Sequence, residues 1–92
     1  MYLIIMNPSD NPYGYRGAIC IIDNSPYCIT GEQGPDLFST EKEAEKTIKH
    51  FQKLRPKVKF EVMPVGTYLK MVDSPFENQC KWVNKMREKF PE

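Results

Sequence analysis

Apolar and polar positions repeat along this chain with two different periods, and residues 37–65 (LFSTEKEAEKTIKHFQKLRPKVKFEVMPV) carry both in succession. Ala44, Ile48, Phe51 and Leu54 recur at helical spacing within an arc of about 120°, which predicts an amphipathic helix with one buried stripe. Thr40 as N-cap with Glu43 three residues on is a capping-box signature for its start. Pro56 ends it by pushing Arg55 out of the helical region. Glu41, Glu43 and Glu45 lie towards its positive end and Lys49, Lys53 and Arg55 towards its negative end, as the macrodipole prefers. The period then changes to two: Val58, Phe60 and Val62 fall on one face of a strand, Lys59, Glu61 and Met63 on the other. Pro64 places that strand at a sheet edge or ends it.

The flanking segments supply cover for this unit. Residues 2–6 (YLIIM) are apolar without alternation and predict a central strand covered on both faces. Residues 7–17 (NPSDNPYGYRG) hold Pro8, Pro12, Gly14 and Gly17 and predict a long loop. Residues 18–23 (AICIID) and 27–30 (YCIT) predict a hairpin turning at Asn24, Ser25 and Pro26. After the alternating strand, Gly66 predicts a turn and residues 68–72 (YLKMV) a weak fifth strand or an extended return. Ser74, Pro75 and Glu77 then open a second helix running to about Lys89. On it Phe76, Cys80, Trp82, Val83, Met86 and Phe90 share a face about 160° wide. The expected architecture is one α+β domain over residues 1–92. Its antiparallel sheet has three to five strands, the Thr40 helix lies across one face, and the Ser74 helix covers the same face or one end.

The string formed by Phe38, Thr40, Glu43, Ala44, Ile48, Phe51, Pro56, residues 59–62, Pro64 and Val65 resembles small bacteriophage proteins with an F-x-T-x-x-E-A-x-x-x-I helix followed by a K-F-E-V-x-P-V strand. The resemblance covers about a third of the chain, and its motif is a cap, a core stripe and a strand. It implies a phage protein that binds and inhibits a host protein, an anti-defence role against CRISPR or restriction effectors included. It carries over no catalytic or binding residue.

Composition alters this picture little. With 13 basic and 12 acidic residues among 92, the formal net charge of +1 provides no global field for nucleic acid or an anionic membrane. The longest apolar run, residues 3–6, is far too short to cross a bilayer, and the first residues do not match a secretory signal. Cys20, Cys28 and Cys80 are odd in number with no C-x-x-C pair, which predicts reduced thiols in a cytoplasm, and the phage resemblance implies that of a bacterial host.

Candidate chemistry is sparse. The single histidine, His50, pairs with Cys20 or Cys28 only if the fold brings them together, and no local signature flanks either cysteine. One His and three scattered Cys offer no zinc-type ligand pair. Asp10, Asp23, Asp36 and Asp73 read as isolated turn residues. Gly14 with Gly17, and Gly31 with Gly34, lack the spacing and the following Lys of a phosphate loop. The expectation is a non-enzymatic protein with no cofactor and no metal.

Binding surfaces are better candidates. Tyr13, Tyr15 and Arg16 sit in the Gly/Pro loop, and such residues serve as interface anchors, although tyrosines also fold back over a sheet. Trp82 and Met86 on the last helix are either a second contact surface, for a partner or a homodimer, or plain core. Residues 46–59 hold Lys46, Lys49, Lys53, Arg55, Lys57 and Lys59 with no acid, an alternative nucleic-acid surface; a solvated helix face explains the same lysines.

Overall fold

The computed structural model describes residues 1–8, 17–29, 34–71 and 80–89. Four strands, β1 (Tyr2–Pro8), β2 (Gly17–Ile22), β3 (Ser25–Cys28) and β4 (Val58–Pro64), form one antiparallel sheet in the order β3-β2-β1-β4. Among the described residues three helices accompany it: α1 (Glu41–Leu54), α2 (Val65–Met71) and α3 (Lys81–Lys89). The small α+β fold expected from the periodicities is present.

β1 is central, as its unbroken apolar run requires. Leu3 and Ile5 point to one face and Ile4 and Met6 to the other, and all four are buried. Ile4 and Met6 meet Ile19, Ala44, Phe51 and Val58 beneath α1. Leu3 and Ile5 meet Ala18, Cys20 and Met63 with Tyr68 and Leu69 of α2 and Val83 of α3. The sheet is therefore sandwiched, and the last helix lies on the face opposite α1 rather than on the same face or at one end. Sequence periodicity fixes which side of a helix is buried, but the sheet face it reaches depends on where the preceding chain leaves the sheet. Here β4 runs straight into α2 on the far side.

Helix α1 starts at the expected N-cap, but only the Thr40 half of the capping box forms. The Thr40 hydroxyl accepts from the Glu43 N–H at 3.2 Å, while the Glu43 carboxylate accepts from the Ser39 hydroxyl at 3.0 Å. At its end the Arg55 N–H donates to the Phe51 carbonyl at 2.8 Å. Ala44 and Phe51 are buried and Ile48 half-buried, but Leu54, at the margin of the stripe about 60° round the helix from Phe51, is 55% exposed. Gln52 ties this end to β4, its Nε2 donating to the Val58 carbonyl at 2.8 Å.

Four further expectations are corrected. Residues 68–71 are helical, not a fifth strand, and Gly66 lies in the first turn of that helix instead of breaking the chain. Val65, Tyr68 and Leu69, the buried residues of α2, stand at i, i+3 and i+4, a helical spacing. The β2–β3 turn is the two-residue pair Asp23 and Asn24, with φ of 50° and 60°. Positive φ at both central positions is what a tight type I′ hairpin demands, and Asn and Asp tolerate it. Pro26 thereby enters edge strand β3, opposite Ile21. Finally, Asp36 is no isolated turn residue. Among the described residues β1 and β2 pair at Ile5 with Ala18 and Met6 with Gly17, and the chain around residues 36–38 fills the gap where they diverge. Asp36 donates its N–H to the Ile19 carbonyl at 3.2 Å and its carboxylate accepts from the Ile21 N–H; Phe38 and Tyr2 exchange both backbone bonds at 2.8 Å.

Candidate functional site

Two surfaces emerge, one on each side of the sheet. The first is the outer side of α1. Lys46, Lys49 and Lys53 are exposed there, and Lys42, four residues before Lys46, extends their row. At 100° per residue the four fall within an arc of about 60°, directly away from the buried stripe. Lys42 escaped the sequence reading because it lies among Glu41, Glu43 and Glu45; only the helical projection separates it from them. Lys57 and Lys59 are exposed beyond the helix end. Arg55 is half-buried, its Nη1 donating to the thioether of Met6 at 3.8 Å, so the structure turns it inward from the row.

Beside this row a shallow depression of about 360 Å³ lies between α1 and the hairpin, lined by Ile21, Asn24, Lys46, Thr47, His50 and Phe51. His50 is exposed and its ring leans on Phe51, with centroids 5.6 Å apart. Cys20 belongs to the core on the opposite face, so the sheet itself separates it from His50. Cys28 lies half-buried on the α1 side. Burial raises the Cys20 thiol pKa above the ordinary range, with the Asp36 carboxylate adding to the effect, so that thiol stays protonated and a poor nucleophile. Among the described residues no group of three or more His, Cys, Asp or Glu is placed to hold a metal ion.

The second surface is an apolar groove of about 280 Å³ on the α2/α3 side, lined by Met1, Leu37, Pro64, Val65, Gly66 and Met86. It gathers the chain start, the β4–α2 junction and α3. Met86 thus rims the groove while packing, half-buried, on the core. Trp82 is half-buried against the same core, wedged over Gly34: a Cβ at Gly34 would lie 2.6 Å from Cγ of Trp82. Much of the wide apolar face of the last helix is therefore spent on the fold, with Cys80 and Val83 fully buried. Further along the same sheet face Ile22 and Tyr27 stand 40% and 52% exposed. Tyr13, Tyr15, Arg16, Phe76 and Phe90, and the Ser74, Pro75 and Glu77 start signal, lie outside the described residues.

No helix among the described residues is long and apolar enough to cross a membrane. No protein-family model, curated protein or solved structure matches the chain.

Proposed function

We propose that this chain is a non-catalytic binding protein of the phage kind, which docks on a protein of the bacterial host and inhibits it. CRISPR or restriction effectors are the target class that the sequence resemblance implies. The observation that carries the reading is the apolar groove bounded by Met1, Val65, Gly66 and Met86. A domain of 92 residues that has already filled a core on each face of its sheet has little reason to keep an apolar cleft unless an apolar side chain of a partner enters it. Three free cysteines suit the reducing cytoplasm in which such a partner would be met.

Gly66 gives a clean test. A Cβ added there meets nothing within 4 Å, so Gly66→Leu fills the groove while leaving the fold in place. Affinity capture from a nuclease-treated bacterial lysate should recover one stoichiometric host protein with the parent chain and lose it with Gly66→Leu, at an equal or higher melting temperature. Equal recovery by both removes the groove from the reading; absence of any nuclease-resistant partner removes the reading itself. The same assay with Tyr15→Ala and Arg16→Ala combined tests the Gly/Pro loop.

The lysine row supports a second reading, a small nucleic-acid-binding protein, because Lys42, Lys46, Lys49 and Lys53 all project from one side of α1. Four phosphate contacts would make duplex binding fall with salt at a log–log slope of about −3 to −4. Lys46→Glu with Lys49→Glu should abolish it, and no binding by the parent chain at low salt ends this reading.

A further inference from the structure

β4 ends the sheet, and the parity of its ladder with β1 decides which backbone groups face the open edge. Val65 donates its N–H to the Met1 carbonyl, and the same register pairs Leu3 with Met63, Ile5 with Glu61 and Asn7 with Lys59. Those β4 residues therefore exchange hydrogen bonds with β1, while Val58, Phe60 and Val62 direct their N–H and C=O groups outward. Val58 is engaged locally, donating to the Arg55 carbonyl at 3.2 Å and accepting from Gln52 at 2.8 Å. Among the described residues no strand pairs with Phe60 and Val62 on that side. Pro64, with no N–H to offer, closes the edge at the far end.

We propose that this edge pairs with the same edge of a second copy of the chain, antiparallel, about a two-fold axis through Phe60. The order V-K-F-E-V of residues 58–62 is self-complementary about that axis. Lys59 falls across from Glu61 of the second copy, Glu61 across from its Lys59, Phe60 across from Phe60, and Val58 across from Val62. The two Phe60 peptides exchange both hydrogen bonds, and each Val62 N–H reaches the second lone pair of the opposing Val58 carbonyl. The charged pairs occupy non-hydrogen-bonded positions of the new ladder, where facing side chains approach most closely. A shift that moves the axis to Glu61 would also join Phe60 to Val62, but it sets Glu61 directly against Glu61, and like charges facing across strands repel. Charged side chains on an edge ordinarily keep foreign strands away. Here one lysine and one glutamate placed symmetrically about Phe60 repel most registers and admit the antiparallel copy. Phe60 and Val62, half-buried beside α1, would continue their apolar row across the axis. The product is an eight-stranded antiparallel sheet with both α1 helices on one face, a contact made by β4 and not by the last helix.

Sedimentation equilibrium of the full chain over a wide concentration range tests this. Lys59→Glu and Glu61→Lys each set like charges across both pairs, and each should weaken the dimer about tenfold or more. Combining Lys59→Glu with Glu61→Lys should restore it, and an equimolar mixture of the two single variants should form a heterodimer tighter than either homodimer. Both side chains are exposed, so melting temperature serves as the control for folding. A chain that stays monomeric into the millimolar range overturns the proposal. So does a dimer that single reversals leave unchanged or that the double exchange fails to restore.

Discussion

Gly34 and Gly66 show how one residue type serves opposite purposes in a small domain. Gly34 is where the loop before α1 touches the indole of Trp82, and a methyl there would lie 2.6 Å from Cγ and 2.7 Å from Cδ1. These atoms are near the root of the side chain, so relief needs a shift of backbone, in the loop at Gly34 or in α3. Gly34→Ala should destabilise the fold by about 1–3 kcal/mol, the usual cost of overpacking. Gly66 stands on a helix with open space around it, and Gly66→Ala should stabilise by about 0.5–1 kcal/mol through helix propensity. Urea unfolding of the two variants would show midpoints moving in opposite directions. Cys20 adds a pH effect at the same scale. Its pKa is raised in the folded state, by burial first and the Asp36 carboxylate second, so above the ordinary thiol value of about 8.5 the unfolded chain loses a proton that the folded chain keeps. Stability should therefore fall as pH rises through that value. The fall should be shallower in Cys20→Ala, and equal slopes for the two proteins from pH 8 to 10 would contradict this assignment.

Among the elements, α1 is both the most legible and the simplest to perturb. Its cap, stripe and stop are local properties, and the bond from the Glu43 N–H to the Thr40 hydroxyl is as the sequence implies. Thr40→Ala should cost about 1 kcal/mol, and Ser39→Ala clearly less, because the latter removes only an exposed side-chain bond to Glu43; thermal melts of both variants check the order. β1 and β4 were legible from their patterns, an unbroken apolar run for the strand buried on both faces and alternation for β4, although Met63, on the face shared with Lys59 and Glu61, is buried in the α2/α3-side core. α2 was not: YLKMV is a short, mostly apolar run that periodicity alone cannot assign, and Gly66 looks like punctuation until Val65, Tyr68 and Leu69 are counted together. Nor was the insertion of residues 36–38 between β1 and β2, because nothing near Asp36 announces a bond to Ile21 fifteen residues away. The candidate surfaces divide in the same way. The lysines of α1 follow from one helix's periodicity, whereas the groove joins Met1, Leu37, Val65 and Met86, which only the folded topology brings together.

At the scale of the whole molecule, β1 is the central strand of the sheet and sends its side chains into both cores in strict alternation, Leu3 and Ile5 on one side, Ile4 and Met6 on the other. Neither helical layer can come away without exposing the face of β1 that it covers, so the two layers should unfold together although they share no helix. Trp82, the single tryptophan, reports on the α2/α3 layer, and far-UV dichroism reports on the helices together, α1 being the longest among the described residues. Ile4 is fully buried beneath α1, on the other side of the sheet from Trp82. Ile4→Ala should cost about 2–5 kcal/mol, a large share of the 5–15 kcal/mol typical of a domain. The loss should appear at both reporters: the Trp82 fluorescence midpoint and the dichroism midpoint should fall by the same amount and remain coincident. A tryptophan transition that stays in place while the helical signal moves down would mean that the α2/α3 layer holds β1 without help from α1. The sheet would then be a partition between two independently melting halves, and the alternation along β1 would not couple the layers.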